Sequence, residues 1–484
     1  MANYKTPGVY VEEVSIIPPS IAEIDSAVPA FVGYTEKAEQ LAPNDLDLVP
    51  TRVRSLKEYE QYFGGAAAED SANISIHVTE YKNGAVTTGY SAKTPLTIAS
   101  MKKHIFYHSV KLFFANGGSD CYIVSVGSYD KSIQKEDLLK GLGAVELEDI
   151  PTLIAIPEAV KLSESGYQDI VQAMIKQAAT LKDRFALLDT LTTTVPKNAA
   201  SISEDLRVLK NAAPSDKEIR RYSAAYYPFL ETTYSYNFDF NALKITSYQE
   251  INTALTPPPP TDLTGSLLGT LKNTKAQLYT VIKNEFEKQP HIILPPSAAV
   301  AGIIARIDSE KGYWKAPANA GVANVSKPVA NVSFQEQGDL NIDVNNGKSV
   351  NAIVSQSGNG TVLMGARTLD GNDNEWRYIN VRRFFSIVEE SIKKSTAWAV
   401  FEPNTGPTWI KVQAMIEGFL FLKWREGALV GAKPEQAYGV SVGLDKTMNQ
   451  LDILEGRMII EIKMAVARPT EFIILKFEQK MQTS

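Results

Sequence analysis

Short apolar runs alternate with an amphipathic segment between residues 152 and 189, and this alternation restricts the fold more than any other feature of the sequence. Thr152–Pro157 and Phe185–Asp189 are short and apolar, which is typical of buried strands. The intervening stretch Tyr167–Lys182 carries apolar side chains at helical spacing. A strand, a helix and a second strand in this order predict a partly parallel sheet.

From Glu375 onward the sequence predicts two more helices and two strands. The first helix has its apolar face at Val381, Phe384, Phe385, Val388 and Ile392. The second has its apolar face at Trp409, Val412, Ile416, Phe419 and Leu420. Met458–Val466 and Phe472–Glu478 are the predicted strands. We therefore expect an α+β domain in this part of the chain.

Both chain ends are predicted to be extended arms. Val9–Val14 is rich in β-forming residues, and Pro18-Pro19 prevents a helix directly after it. A short strand at a chain end has to pair with a sheet, and that sheet can belong to another chain. The residues expected to pair between subunits are Val9, Tyr10, Val11, Glu12, Val14, Phe472, Ile473, Ile474, Leu475 and Phe477.

Composition argues against several classes of protein. The 484 residues carry a net charge of −6, which gives no argument for a nucleic-acid or anionic membrane partner. Cys121 is the only cysteine, so no disulfide or cysteine-based zinc site can form within one chain, which fits a reducing cytoplasm. The N-terminus has no secretory h-region, and the uncharged run Ala298–Ala305 is far shorter than the roughly 20 residues of a membrane helix. We therefore predict cytoplasmic assembly without membrane insertion.

Motifs for catalysis and cofactor binding are incomplete. Gly347-Lys348-Ser349 is similar to the end of a Walker A loop, but Ile342 stands where the motif requires a glycine. His104 and His108 have the spacing of a shared helix face, without a signature for a further metal ligand. Asp189 stands at the end of an apolar strand, where α/β enzymes place catalytic groups, but it has no identifiable partner. We predict no catalytic, cofactor or metal site; a triad scattered through the sequence leaves no such motif.

Several short motifs occur in order along the chain. In the first two thirds they are Thr6–Glu13, Phe63-Gly64-Gly65, Phe113–Gly118, Ala301–Asp308 and Gly312–Asn319. In the C-terminal part they are Asn380–Phe385, Phe401–Asn404, Gly427–Gly431 and Arg468–Ile473. In this order and spacing they resemble the tail sheath proteins of contractile phages, R-type pyocins and extracellular contractile injection systems. The segment from about 130 to 290 matches poorly and would correspond to the variable, outward-facing region of that family.

The resemblance implies a structural subunit that polymerises. Sheath subunits stack as hexameric rings around an inner tube, lend terminal strands to neighbouring copies and shorten after triggering at the baseplate, which drives the tube through a target envelope. The implied partners are further copies, the inner tube protein, baseplate and terminal cap proteins, and sister sheath proteins. No cofactor is implied, and the phage tail or tail-like particle can leave the bacterial cell in which it is assembled. The C-terminal domain would face the tube, with Lys411, Lys423 and Arg425 as candidate contacts.

The predicted fold class is mixed α/β and α+β in a multi-domain subunit with β-arms. The predicted segments are an N-terminal arm over 1–22, mixed α/β outer domains over 23–300, a junction with loops over 301–374, a C-terminal core over 375–468 and a C-terminal arm over 469–484. Two alternatives stay open. One is another self-assembling particle protein, such as a tube or capsid subunit. The other is an α/β hydrolase with a scattered active site.

Overall fold

The computed structural model describes residues 20–67, 74–93, 104–191, 199–235, 239–288, 291–472 and 474. The chain divides into two compact units. The large unit consists of Asp25–Ser386 and Arg468–Ser484, and the small unit of Met1–Ile24 and Ile387–Ala467. Most of the two predicted arms, including the predicted strand Val9–Val14, lies outside the described residues.

The described residues form strands and helices in alternation. The strands are β1 (Pro29–Thr35), β2 (Thr51–Val53), β3 (His77–Asn83), β4 (Val86–Lys93), β5 (Cys121–Ser128), β6 (Leu153–Ala155), β7 (Phe185–Asp189), β8 (Ser223–Tyr227), β9 (Leu230–Thr232), β10 (Ser247–Asn252), β11 (Ile293–Leu294), β12 (Ala320–Gly321), β13 (Val325–Pro328), β14 (Val350–Gln356), β15 (Gly360–Leu363), β16 (Tyr438–Val442) and β17 (Ile460–Met464). The α-helices are α1 (Leu56–Phe63), α2 (Phe106–Ala115), α3 (Lys135–Glu146), α4 (Glu164–Leu181), α5 (Ala199–Ala212), α6 (Lys217–Arg220), α7 (Leu268–Thr274), α8 (Ala276–Glu287), α9 (Ser297–Lys311), α10 (Phe334–Asn341), α11 (Ile379–Ser395), α12 (Gly406–Arg425), α13 (Pro434–Ala437) and α14 (Gln450–Leu454). Short 3-10 helices cover Pro157–Lys161, Phe240–Ala242 and Ala397–Ala399.

A nine-stranded sheet is the centre of the large unit, in the order β12-β15-β14-β8-β7-β6-β1-β5-β2. The six strands from β14 to β5 in this order run parallel, and β2, β15 and β12 pair antiparallel at the two sides. All seven residues of β1 are buried, as expected for a strand that is covered on both faces. β6 and β7 are adjacent and parallel, and α4 connects them, so the partly parallel sheet predicted from the sequence is confirmed.

The segment 301–374, predicted as a junction with loops, contains helices and strands that contribute to the interior of the large unit. Within it, β14 pairs in parallel with β8 in the central sheet. Ten residues of α9 are buried. A Cβ atom on Gly302 would lie 2.4 Å from the carbonyl oxygen of Phe113, so α9 and α2 approach at a separation that requires glycine. The close packing of α9 on α2 therefore depends on the absence of a side chain at Gly302.

Two smaller sheets complete the large unit. β11, β9 and β13 form an antiparallel sheet. β10, β3 and β4 form the other, in which β10 and β3 are parallel and β3 and β4 antiparallel. The second sheet packs with α7 and α8 around its own apolar cluster, which contains Ile74, Ile76, Val78, Ala92, Leu243, Ile245, Leu268, Leu271, Leu278 and Ile282. These segments form a lobe that is built from two distant parts of the sequence.

The small unit combines helices with a two-stranded sheet. α12 buries Val412, Ile416 and Phe419, as their spacing predicts. β16 and β17 pair antiparallel. The small unit begins at Ile387, inside α11, whereas the sequence predicted a border at 375, because a continuous helix gives none of the loop signals by which borders are recognised. None of the helices in the described part of the chain has the length and apolar character of a bilayer span.

Candidate functional site: surfaces for subunit contact

Asp189, the residue that most resembled a catalytic group in the sequence, caps a helix. Its carboxylate oxygens accept hydrogen bonds from the backbone N–H of Ser297, at 2.7 Å, and from the hydroxyl of Ser297, at 2.6 Å. Its carbonyl oxygen accepts a bond from the Tyr167 hydroxyl at 2.5 Å. Burial raises the pKa of the Asp189 carboxyl to about 7, while the Ser297 bonds act in the opposite direction. Asp189 therefore satisfies one of the backbone N–H groups at the start of α9 that have no partner within the helix, which is a structural role.

Buried side chains fill the region beyond the carboxyl ends of β1 and β5, where an α/β enzyme would have its crevice. Glu158 is fully buried and accepts hydrogen bonds from the backbone N–H groups of Tyr34, at 2.8 Å, and Ile105, at 3.1 Å. Nδ1 of His104 lies 3.4 Å from the Glu158 carboxylate, and Nε2 lies 3.0 Å from the Lys131 carbonyl oxygen. These contacts hold the connections after the strands together. They leave His104 buried rather than available in a cleft.

His104 and His108, whose spacing would fit a shared helix face, do not lie on the same helix. His104 precedes α2 and His108 lies within it, and both are buried. Within the described ranges, no group of three or more His, Cys, Asp and Glu side chains is arranged to hold a metal ion.

Gly347-Lys348-Ser349 does not form a phosphate-binding loop. The Lys348 ammonium donates to the carbonyl oxygens of Lys210, at 2.5 Å, and Ala213, at 2.9 Å, at the carboxyl end of α5. A cation is favourable at that end of a helix, whereas phosphate binds at the opposite end. Burial lowers the pKa of the Lys348 ammonium. The Ser349 hydroxyl donates to the Asn341 carbonyl oxygen, so both polar side chains of the motif hold the protein together.

The two-stranded sheet of the small unit has open edges. β16 and β17 pair from Tyr438↔Met464 to Val442↔Ile460, and in the described part of the chain no third strand lies beside them. One isolated antiparallel bridge, between Leu429 and Val466, follows shortly after β17. Along β17 the side chains alternate between half-buried and exposed, as in a strand that packs on one face. A two-stranded sheet is marginal in water, and each edge presents unpaired backbone N–H and C=O groups. This sheet can therefore accept a further strand.

Helix α12 is apolar on its solvent side as well as on its buried side. Ile410 is 70% exposed and Leu422 is 53% exposed, although both are large and apolar. Ala414 and Gly418 lie on the same exposed side and leave room for a partner to approach closely. A solvent-facing helix normally carries polar residues there, so this side of α12 is a candidate contact surface.

The three predicted tube contacts on α12 differ in their exposure. Lys411 is exposed, with its ammonium 4.0 Å above the centre of the Trp398 ring. Arg425 is also exposed. Lys423 is buried, and its ammonium donates to the carboxylates of Glu23, at 2.7 Å, and Glu426, at 2.8 Å. The charge of Lys423 is therefore used inside the small unit.

The predicted pairing residues of the arms are only partly described. Val9, Tyr10, Val11, Glu12, Val14, Ile473, Leu475 and Phe477 lie outside the described residues. Phe472 and Ile474 belong to no strand and are 65% and 80% exposed. Two large apolar side chains in this state have surface to bury against a partner.

Sequence reasoning missed the exposed apolar side chains next to and along α12. Val400 and Phe401 precede the helix and are exposed, and Phe401 has a φ angle of 69°, which is rare for an aromatic residue. Ile410 and Phe421 lie on its solvent side. The sequence of α12 did carry a signal for them, since its apolar residues are distributed around the whole circumference of the helix. Such a helix is either buried or covered by a partner.

Comparison with protein families places most of the sequence in two known domains. The phage tail sheath protein central domain matches residues 132–369, and the phage tail sheath C-terminal domain matches residues 371–480.

Curated relatives match over shorter stretches. The tail sheath protein of Burkholderia phage BcepMu is 27% identical over 195 residues, which are 38% of this chain and 38% of the relative. The tail sheath protein of Enterobacteria phage T4 is 32% identical over 118 residues, which are 24% of this chain and 17% of the relative. The chain thus spans less than two fifths of the length of each of these relatives.

Solved structures match over nearly the full length. A chain from the sheath complex of the extracellular contractile injection system PVC, in its contracted state, has a TM-score of 0.63 and 27% identity, and the match covers 99% of both chains. A chain from the helical sheath of the anti-feeding prophage, also contracted, has a TM-score of 0.62 and 28% identity, and the match covers 99% of this chain and 100% of the other. The mixed α/β fold is therefore shared along the whole chain.

Proposed function

Because the chain belongs to the phage tail sheath protein family, we propose that it is a structural subunit of a contractile sheath. The observation that carries this proposal is the match, over 99% of the chain, to subunits of two contracted sheaths. The alternative of a tube or capsid subunit is not favoured, because these full-length matches are sheath chains. The hydrolase alternative finds no support in Asp189, which caps α9.

In the proposed assembly, copies form stacked hexameric rings around an inner tube. The sheath is built extended, shortens on a trigger from the baseplate and drives the tube through a target envelope. A chain of the anti-feeding prophage baseplate with 28% identity and a TM-score of 0.62 supports partners of the tail-complex type. Assembly takes place in the bacterial cytoplasm, and the particle is released later. The chain performs no catalysis in this stroke, which draws on contacts between subunits.

The arms connect neighbouring copies in this proposal. Strands around Val9–Val14 and Phe472–Glu478 pair with the open edges of the β16–β17 sheet in other copies, which completes a sheet that is marginal with two strands. Main-chain hydrogen bonds of this kind depend little on side chains, so they persist while rigid units rotate.

The exposed side of α12 is the proposed contact for the inner tube. Its apolar stripe around Ala414 and Gly418 lies beside the exposed cations Lys411 and Arg425. Lys423 is left out of this contact because its ammonium is paired within the small unit.

Loss of the N-terminal strand tests the proposed assembly. Deletion of residues 1–19 is expected to abolish helical polymers in electron micrographs, because a neighbour's β16–β17 sheet loses its added strand. Val11→Pro removes one backbone donor from the predicted strand and should shorten the polymers. Lys5→Pro, which lies before the predicted strand, is the matched control and should assemble like the wild type. Polymers of normal length from the deletion variant would contradict the proposal.

A further inference from the structure

The carboxylate of Glu471 is held by three side chains of the large unit. Arg367 donates from Nε to Oε1 at 2.7 Å and from Nη2 to Oε2 at 2.6 Å. The Tyr378 hydroxyl donates to Oε2 at 3.1 Å, and Nδ2 of Asn341 donates to Oε1 at 3.2 Å. One carboxylate therefore accepts four hydrogen bonds, two of them from the planar fork of an arginine, which is the strongest common way to hold a carboxylate.

Arg367 is itself fixed to the central sheet. Its side chain is 3% exposed, and Nη1 donates to the carbonyl oxygens of Asn341 and Gly371. Its backbone N–H donates to the side chain of Asn351, at 2.8 Å, and Asn351 lies on β14. The guanidinium is thus oriented before it meets Glu471, so little freedom is lost when the ion pair forms.

The ion pair holds Glu471 in its charged form. Burial acts to raise the pKa of the Glu471 carboxyl, but the hydrogen bonds and the charge of Arg367 outweigh it and hold the pKa below its ordinary value.

Glu471 occupies the point where the C-terminal arm begins. The small unit ends at Ala467, and the chain from Arg468 onward belongs to the large unit. Arg468 donates from Nη1 to the carbonyl oxygen of Asn374 at 2.9 Å, so a second contact fixes the same short segment. Phe472 follows directly and is 65% exposed. The chain is therefore tied to the large unit up to Glu471, and the exposed apolar residues start one position later.

The N-terminal chain is tied to the small unit in a comparable way. Glu23 accepts a hydrogen bond from the buried Lys423 ammonium at 2.7 Å. The backbone N–H groups of Ala22 and Ile24 donate to the hydroxyls of Ser395, at 3.0 Å, and Ser391, at 3.1 Å. Each chain end is thus fixed by an ion pair near the start of the arm, Glu23–Lys423 in the small unit and Glu471–Arg367 in the large unit.

We propose that Glu471 is the anchor of the C-terminal arm: its contacts with Arg367, Tyr378 and Asn341 set the point from which the arm leaves the large unit. A neighbouring copy that holds the arm then pulls on Arg367 and the nine-stranded sheet, rather than on the end of the small unit. This inference rests on the proposed donation of the C-terminal arm to other copies.

The anchor acts by limiting where the arm can reach. A strand that starts from a fixed point samples a smaller volume than one released at Ala467, so its effective concentration at the neighbour's sheet edge is higher. Less ordering entropy remains to be lost when the arm is captured. Glu471 is a positioning residue in this sense, since it does not have to touch the neighbour.

Three variants test the anchor. Glu471→Gln removes the charge and the two-oxygen acceptor at nearly constant size, and about tenfold fewer polymers are expected in electron micrographs at equal protein concentration. Thr470→Ala, an exposed neighbour, is the matched control and should assemble like the wild type. Deletion of residues 475–484 removes most of the arm but keeps the anchor, and it should abolish polymers.

The outcomes separate this inference from the proposed function. If the deletion abolishes polymers and Glu471→Gln assembles like Thr470→Ala, the anchor is overturned while arm donation stands. If the deletion variant assembles normally, arm donation fails and the anchor fails with it. If Glu471→Gln also lowers the melting temperature of the unassembled chain, its loss of polymers could come from destabilisation of the fold. The variant Tyr378→Phe then separates the two causes, because it removes one hydrogen bond to Glu471 and keeps the aromatic ring. About a two- to threefold loss of polymers from Tyr378→Phe supports the anchor, and no loss overturns it.

Discussion

Several charged side chains of the large unit are buried, each with partners that satisfy it. Arg184 is 1% exposed and donates to the carbonyl oxygens of Val145 and Glu148, each at 2.8 Å. Arg383 is 3% exposed and pairs with Asp308. Buried polar groups of this kind are costly unless they are bonded, so they fix one arrangement of the connections around the central sheet. Asp189 belongs to this group, and its two carboxylate oxygens accept hydrogen bonds from the backbone N–H and the hydroxyl of Ser297.

Because of Asp189, we expect the free energy of unfolding to decrease as pH rises. Burial raises the pKa of this carboxyl to about 7, against about 3.9 for an unfolded chain. Between these values the folded protein binds a proton that the unfolded chain does not. The contribution of Asp189 to the free energy of unfolding is therefore complete below about pH 4 and is lost as pH increases through 7. Asp189→Asn stays neutral, so between pH 5 and 8 the wild type should lose about 2 kcal/mol of unfolding free energy relative to the variant.

Chemical denaturation at several pH values measures this effect. Asp130→Asn replaces an exposed aspartate and serves as the control, which should keep the pH profile of the wild type. A difference between Asp189→Asn and the wild type that is the same at pH 5 and pH 8 would contradict the assignment.

At the scale of elements, the sequence predicts what depends on local pattern. The bounds of β7 are those predicted, Phe185–Asp189, because a buried strand is a short apolar run between polar residues. The burial of Lys423 could not be predicted, because one of its two carboxylate partners, Glu23, is 400 residues away along the chain. The same holds for Gly302, whose neighbour Phe113 lies on another helix.

The sequence likewise predicted only those features of the candidate site that depend on local pattern. Lys411 and Arg425 were expected on a helix and are exposed on α12. The apolar side chain of Ile410 was not expected on its solvent side, because periodicity states which residues share a face but not which face a partner covers. Glu471 gave no signal, since its partners Arg367 and Tyr378 come together only in the fold.

A charge on the exposed side of α12 is expected to weaken the proposed contact with the inner tube. Ala414→Glu introduces a carboxylate into the apolar stripe without touching the buried side. About tenfold weaker association with the purified tube protein is expected, because the charge has to be desolvated or excluded from the contact. Co-sedimentation of sheath and tube measures the association.

A matched control separates this effect from helix stability. Gln277→Glu places the same side chain at an exposed position of α8 and should leave tube binding unchanged. Normal tube binding by Ala414→Glu would move the proposed tube contact away from this side of α12. Melting temperatures of both variants should stay close to that of the wild type, because exposed substitutions in helices have small effects.

On the scale of the whole molecule, exposed apolar side chains concentrate in the small unit. Of the 25 exposed large apolar side chains in the described part of the chain, 10 lie within Ile387–Ala467. That segment makes up 81 of the 426 residues that the structure describes. Isolated exposed apolar residues are ordinary, but such an enrichment marks surface that is covered in an assembly. The small unit is thus expected to gain more from polymerisation than the large unit.

Assembly should therefore raise the thermal stability of the chain by mass action. Polymers bind folded copies only, so the melting temperature of the full-length chain is expected to increase with protein concentration, by about 5 °C over a hundredfold range. A variant without residues 1–19 and 475–484 lacks both proposed strands, and its melting temperature should not change with concentration. Calorimetry at one scan rate, with electron micrographs of each sample, compares the two. An equal rise in the truncated variant would mean that the exposed apolar surface associates without the arms, and the arms would then lose their proposed role in stabilising the polymer.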